Sequence, residues 1–379
     1  MSGELARLAR RSAELARRSR LTACGALLLA WLLSAPVRAE PYLALGQGAK
    51  CSQCHVNPTG GGLRNAFGDV FAQTQMPAQH IDTGTDIWAG QITRFLAAGG
   101  DLRFDASAQQ LPHTRTLDGF QMQQTRVYLA ASVIPDRLLV YADEQVAPGG
   151  ALNREAWGLF WSADHSWYLK GGQMYLPFGL RLQDQTAFVK QTTGINMTTP
   201  DQGVELGWLR GHWDAQLAVS NGTAGGAATT SGKQTSGQLT FVDALWRLGA
   251  ALNYNAASAA GSRRAAGLFG GLKTGPIVWL GEADLVDDRS LGNGGVKMLA
   301  TLAEADWMLA RGHNIKVTGE YLDPNRRVAH DQETRWSLLY ELTPVQFVQL
   351  RAGVRYSDGI PQLATEHTRL YFLELHGFF

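Results

Sequence analysis

From Leu370 to Phe379 the chain alternates strictly, with Tyr371, Leu373, Leu375, Gly377 and Phe379 on one side and Phe372, Glu374, His376 and Phe378 on the other. A period of two does not fit a helix face, so the segment is read as a strand lying between an apolar and a more polar environment. The pattern recurs in Ile315 to Tyr321, where Lys316, Thr318 and Glu320 oppose Ile315, Val317 and Tyr321. It returns in Gln346 to Tyr356, where Gln349, Arg351 and Arg355 oppose Val348, Leu350 and Val354. One side of each strand asks for lipid or a core, and the other tolerates charge.

The connections decide between the two. Tight turns are expected at Pro135-Asp136, Asp164-His165, Gly211-His212, Arg247-Leu248, Thr274-Gly275, Arg311-Gly312 and Thr343-Pro344, alternating with longer polar stretches such as 178 to 201 and 222 to 235. A sandwich has no reason to sort its loops in this way, whereas a transmembrane barrel has short turns at one rim and long loops at the other. The spacing predicts an all-β fold: a transmembrane antiparallel β-barrel of about sixteen strands. The terminal Phe379 and its alternating predecessors resemble the C-terminal strand signal that the outer-membrane barrel assembly machinery reads. Trp157, Trp161, Trp167, Tyr168, Trp208, Trp213, Trp246 and Trp307 lie near strand ends, as interfacial girdles require.

Residues 1–39 read as a signal peptide. Arg7, Arg10, Arg11, Arg17, Arg18 and Arg20 form a basic region, Ala23 to Leu33 is apolar, and Val37-Arg38-Ala39 suits cleavage before Glu40. The apolar run is too short to remain as a spanning helix. Cys24 precedes that run, whereas an acylated lipoprotein cysteine would follow it. The formal net charge of +1 gives no global attraction to nucleic acid. Gly 43 and Trp 11 against Cys 3 suit turns and interfacial aromatics rather than a disulfide scaffold.

After cleavage two cysteines remain, in Cys51-Ser52-Gln53-Cys54-His55. Two thiols at this spacing form thioethers with the two vinyl groups of one haem, and the adjacent histidine reaches the iron. A structural zinc site needs four ligands, and no second cysteine pair exists. One covalent haem c is therefore expected, with Cys51 and Cys54 as thioether residues and His55 as proximal ligand. For the sixth position Met76 and His80 are the near candidates and His113 a distant one; a methionine raises the potential and a histidine lowers it. A five-coordinate iron would open a peroxidase or gas-binding reading.

Residues 40–86 are too few to enclose a haem without an outside wall, so this plug must borrow part of its core. Leu63, Ala66, Phe67, Val70 and Phe71 fall at helical spacing and predict a short helix over Leu63 to Gln73, packed on the porphyrin or on the barrel wall. Residues 87–379 are read as the porin-like barrel. Glu282, Asp284, Glu304 and Asp306 take inward positions on adjacent strands, to draw cations or to pair with Lys316, Arg351 and Arg355. No hydrolase triad, phosphate loop or zinc helix is written in the chain.

The order of leader, single C-x-x-C-H, Pro58, Leu63, the Phe67-Gly68 pair and then a barrel resembles the outer-membrane cytochrome-porin fusions of iron-oxidising and related bacteria. That resemblance implies a haem held inside the periplasmic end of the barrel and both termini in the periplasm. It further implies electron exchange between an extracellular donor or acceptor, Fe(II) among the candidates, and a soluble periplasmic cytochrome or similar carrier. The competing reading is a substrate-specific outer-membrane porin with a structural haem segment. Gly172 to Leu180, which resembles a stretch in phosphate-selective porins, belongs to that reading.

Overall fold

The computed structural model describes residues 40–84, 87–112, 115–291, 294–360 and 366–379. The expected leader at 1–39 and the candidate His113 lie outside the described residues. A three-residue strand β1 (Gln91–Thr93) leads into β2 (Leu96–Gln110), β3 (Leu117–Ile134), β4 (Leu138–Ala147), β5 (Leu152–Trp161) and β6 (Trp167–Met174). Then follow β7 (Asp201–Arg210), β8 (Trp213–Ser220), β9 (Gln234–Val242), β10 (Trp246–Asn255), β11 (Arg263–Thr274) and β12 (Ile277–Asp288). The last five are β13 (Val296–Ala310), β14 (His313–Asp323), β15 (Glu333–Val345), β16 (Val348–Asp358) and β17 (Thr368–Phe378). Strands β2 to β17 pair antiparallel in chain order, and β17 returns to β2 with Gly377 opposite Leu102 and Arg369 opposite Gln110. The result is a closed barrel of sixteen strands, which leaves no open sheet edge around its circumference.

Alternation along each strand sorts the side chains. In β10, Arg247, Ala251 and Asn253 turn inward and are buried, while Trp246, Leu248, Leu252 and Tyr254 point outward and are exposed. Leu252 and Leu268, on neighbouring strands, are 68% and 64% exposed. A surface this apolar around the whole barrel is the inverse of a water-soluble protein and suits hydrocarbon.

One rim carries the tight connections, such as 211–212, 275–276 and 311–312, and the other the long ones, 175–200 the longest. Two expected turns fall elsewhere. Arg247-Leu248 lies inside β10, because the turn forms at 243–245, where the Asp243 carboxylate accepts from Ala244 N at 2.7 Å. Thr343-Pro344 lies inside β15, where a register shift between Leu342 and Val345 tolerates the proline, and the chain reverses at Gln346-Phe347 with Phe347 at φ 70°. Trp167, Trp208, Trp213, Trp246 and Trp307 project outward near the tight-turn rim. Trp157, Trp161 and Tyr168 do not join them. Tyr168 is adjacent to outward Trp167 and so must face inward; Trp157 is 3% exposed and stacks on Tyr141 inside the lumen.

Two inserts occupy that lumen. The first is the N-terminal plug, built from α1 (Pro41–Gly46), a 3₁₀ turn (Cys51–Gln53) and α2 (Ala66–Thr74). The second is the connection between β6 and β7, which folds inward around α3 (Phe188–Thr193) and packs on β12 and β13. Helix α2 starts one turn later than its spacing predicts, because Asn65 caps it by accepting from Gly68 N at 3.0 Å.

Candidate haem-binding site in the lumen

The plug is tied to the wall from many directions near the tight-turn rim. Lys50 Nζ donates to Trp213 O (2.6 Å), Lys273 Nζ to Gly46 O (2.6 Å) and Arg247 Nη2 to Ala49 O (2.8 Å). On the opposite wall Ala78 N donates to Thr343 O at 2.8 Å, and Arg64 lies over the Phe378 ring at 4.7 Å. Hydrogen bonds to β8, β10, β11 and β15 and the Arg64–Phe378 contact to β17 hold the plug from opposite sides of the wall.

Between Cys54 and Asn65 the chain forms a narrow loop. His55 bridges to Arg64, Val56 N donates to Leu63 O (3.0 Å) and Asn65 N to Cys54 O (3.0 Å). Its tip needs glycine: Gly60, Gly61 and Gly62 take φ of 87°, 82° and 64°, the left-handed region that β-carbons disfavour. Space is short as well: a Cβ on Gly62 would fall 2.1 Å from the Tyr141 hydroxyl oxygen, forcing that ring to shift, and one on Gly60 would sit tightly, 3.1 Å from Cys51 Cβ. The Tyr141 hydroxyl in turn accepts from Leu63 N at 3.2 Å.

Behind the tip a buried polar network grips the loop. Asn57 is fully buried; its amide donates to both oxygens of Glu155 (3.2 and 3.1 Å), and its Oδ1 accepts from Thr59 Oγ1 (2.9 Å) and Lys170 Nζ (3.4 Å). Lys170 also pairs with Glu205 at 2.9 Å, both side chains having no exposed area. A charge this deep is tolerated only with such partners.

Cys51, Cys54 and His55 all line one cavity of about 790 Å³ between plug, wall and inward connection. That volume lies in the range of cofactor sites. The two thiols are free of any disulfide. Burial pushes the Cys51 thiol up, and burial together with the neighbouring Cys51 pushes Cys54 up to about 11. Both are therefore protonated at neutral pH, unlike the thiolates of redox or nucleophilic cysteines. Burial, aided by the Arg64 charge, lowers the His55 imidazole to about 4, leaving the ring neutral, the form that binds metal. Arg154 and Arg181 line the same cavity and make no ion pair among the described residues; Arg154 donates to Gln145 Oε1 (2.6 and 3.1 Å) and Thr198 O (3.1 Å), and Arg181 Nε to Thr59 O at 3.3 Å. Paired thiols, a neutral ring, apolar lining from Phe71 and Phe178 and guanidiniums bonded only to neutral groups form a set that fits a haem with its anionic propionates.

Of the sixth-ligand candidates, Met76 is on the cavity wall, 5% exposed and packed with Phe71, Ala72 and Phe378. His80 is exposed, with Nδ1 3.2 Å from Gln73 O, and does not line the cavity. A second methionine, Met197, lies on the inward connection and also lines it; a Cβ on Gly61 would be 3.3 Å from its sulfur. Sequence reasoning missed Met197 because no periodicity marks a loop that folds back into the barrel. The expected apolar face of α2 divides: Phe71 and Ala72 are buried towards Phe378, while Phe67 (59% exposed) and Val70 project away from the cavity.

The acidic quartet faces inward, and three of its four members are paired; both oxygens of buried Asp284 make no hydrogen bond among the described residues. Lys316 lies 3.6 Å from Glu304 and 3.7 Å from Asp306, whereas Glu282 is paired at 2.9 Å with Lys190 of α3. Arg355 reaches Asp184 on the same inward connection.

No family model and no curated protein matches the chain. Among solved structures it is similar to the anion-selective porin from Comamonas acidovorans, with a TM-score of 0.61 and 11% identity over 75% of this chain and 99% of the porin. OmpT of Vibrio cholerae gives 0.55 and 11% over 75% and 99% of the two chains. The outer membrane channel DcaP of Acinetobacter baumannii gives 0.55 and 12% over 75% and 97%. At such identity the likeness is one of fold, a porin-type barrel. Each neighbour is covered almost whole while a quarter of this chain is left over, so the chain carries more than the shared barrel.

Proposed function

We propose that this chain is an outer-membrane electron-transfer protein, with one haem c attached to Cys51 and Cys54 and ligated by His55 inside the barrel lumen. The observation that carries the reading is that the C-x-x-C-H segment opens into a single lumen cavity whose wall is tied to the plug by hydrogen bonds on opposite sides. Bound there, a haem supplies reversible one-electron chemistry. The chain's own residues would attach it through Cys51 and Cys54, orient His55 through the glycine tip and the Asn57 network, exclude water with Phe71, Met76 and Phe178, and offer Arg154 and Arg181 to its carboxylates.

The apolar outer surface fits insertion in the outer membrane, and the tight-turn rim is then periplasmic, as in other outer-membrane barrels. Strand β17 ends at this rim, whereas Glu40 is held within the lumen against Lys316; a periplasmic position for both ends of the mature chain is part of this reading. A soluble periplasmic cytochrome or similar carrier meets the plug there, beside exposed Phe67 and Val70. The donor or acceptor on the other side, Fe(II) among the candidates, approaches through the long loops. Met76 serves as sixth ligand in this reading.

A second reading, a solute-selective porin with a structural haem segment, is favoured by the porin-type fold and by the charged inward face of the strands. Proteoliposomes separate the two. Electron flow from an external reductant to an enclosed acceptor, abolished in both Cys51→Ala and His55→Ala, supports the first; solute influx without electron flow supports the second.

A further inference from the structure

On the rim face of the plug, Phe67 and Val70 stand three apart on α2, 59% and 38% exposed, so they share one side of the helix. The same turn abuts the C-x-x-C-H segment. A Cβ on Gly68 would fall 2.1 Å from Cys54 O, and the Asn65 amide donates to Ser52 O (3.3 Å) and Gln53 O (3.1 Å). Gln53, between the two cysteines, is itself exposed, and the Phe67 ring lies 6.1 Å from that of cavity-lining Phe71. A molecule seated on Phe67 and Val70 is thus one side-chain layer from the cavity. Arg64 and Arg311 flank the helix at its two ends: Arg64 lies over the Phe378 ring at 4.7 Å, and Arg311 donates to Thr74 O and, at 2.7 Å, to Pro77 O. Lys50 and Lys273, bonded to Trp213 O and Gly46 O at 2.6 Å each, extend the positive charge along the plug. None of the four makes an ion pair among the described residues, so carbonyls and a ring hold them without neutralising them. The rim's carboxylates are turned to their own loops instead: Asp164 to Ser162 and Ser166 (2.8 Å each), Asp82 to Gly84 N (2.8 Å) and Asp243 to Ala244 N (2.7 Å). Asp69, on α2 itself, is buried.

We propose that this face docks a soluble electron carrier whose redox edge is apolar and ringed by carboxylates, with Phe67 and Val70 as the apolar seat and the four cations as the charged rim. The proposal rests on the haem reading, since a redox group in the cavity is what such a carrier would exchange electrons with. A small apolar centre inside a charged rim is the anatomy of a transient interface. Burial of two side chains supplies a modest hold, while rim charge speeds the encounter and sets the orientation. A carrier with a basic face would meet Lys50, Arg64, Lys273 and Arg311 as like charges and be turned away. The seat is small, which suits a partner that must leave after each transfer.

The test uses the full chain in lipid nanodiscs, which leave both rims open, and two probes that differ only in charge. One is a mitochondrial-type cytochrome c, basic as isolated; the other is the same protein with its lysines succinylated, which makes it acidic. The succinylated form should bind, with affinity falling about tenfold between about 50 and 200 mM salt, and the unmodified form should not. Phe67→Ser combined with Val70→Ser changes two exposed side chains outside the cavity lining, and should weaken binding about tenfold while leaving the absorption spectrum of the bound haem unchanged. Equal binding of the two probes, binding of neither, or binding indifferent to the double variant overturns the proposal. Intact mass reports the haem separately. A haem-loaded chain that binds neither probe overturns the docking face alone, whereas an apo mass with salt-sensitive binding of the acidic probe supports the face and overturns the haem reading.

Discussion

Gly60, Gly61 and Gly62 are visible in the sequence as a glycine run, but their purpose is set by residues eighty positions away. Gly62 sits under the Tyr141 hydroxyl at positive φ, so Gly62→Ala combines a clash with backbone strain and should destabilise the plug by about 1–3 kcal/mol. Tyr141→Phe removes the oxygen and should recover part of that loss, which urea titration of the double variant would reveal. Asp69, in the first turn of α2, gives a pH-dependent counterpart. Burial raises its carboxyl to about 6, against the pull of Arg64. A raised carboxyl binds its proton more tightly in the folded plug, so its stabilising contribution is complete below the ordinary value near 3.8 and fades as pH rises through about 6. Protection factors of α2 amides should fall between pH 4 and 7, and Asp69→Asn should flatten that decline; an equal decline in both proteins would contradict this account.

The strands were legible because each carries its own alternation, and β17 could be read residue by residue from Tyr371 to Phe378. Turns with clear local chemistry were equally legible, as at Gly211 and Gly312. Arg247-Leu248 and Thr343-Pro344 were misplaced because the Asp243 turn and the β15 register shift depend on side-chain bonds and pairing that no window of sequence displays. The same limit hid α3 and Met197, since an inward fold is specified by distant partners such as Glu282 and Glu320 rather than by periodicity. Lys190 is nearly buried against Glu282, so Lys190→Met leaves that buried carboxylate without its counter-charge, held only by Leu180 N at 2.8 Å, and should cost about 3–5 kcal/mol. If the inward connection also narrows the lumen, that variant should raise single-channel conductance in planar bilayers. Unchanged conductance with a lowered unfolding midpoint would assign the pair to stability alone.

The whole chain joins a porin-type barrel to a segment that brings two thiols and an imidazole into its lumen. The C-x-x-C-H pentad stands out in the sequence because the residues proposed for thioether attachment and iron ligation lie within five adjacent positions. Its setting does not: the Asn57–Lys170–Glu205 network, the arginines and the split of α2 between Phe71 inside and Phe67 outside exist only once sixteen strands have closed around the plug. The barrel by itself accounts for a channel, and the pentad by itself for a soluble carrier; in the proposed reading their union makes a fixed relay in a membrane. The most direct measurement of that union is the intact mass of the denatured protein from outer membranes, taken together with a redox titration of the native form. One haem per chain that survives denaturation, is reduced reversibly, and is lost when Cys51 and Cys54 are both changed to alanine is the predicted result; a protein of apo mass with two free thiols would contradict it.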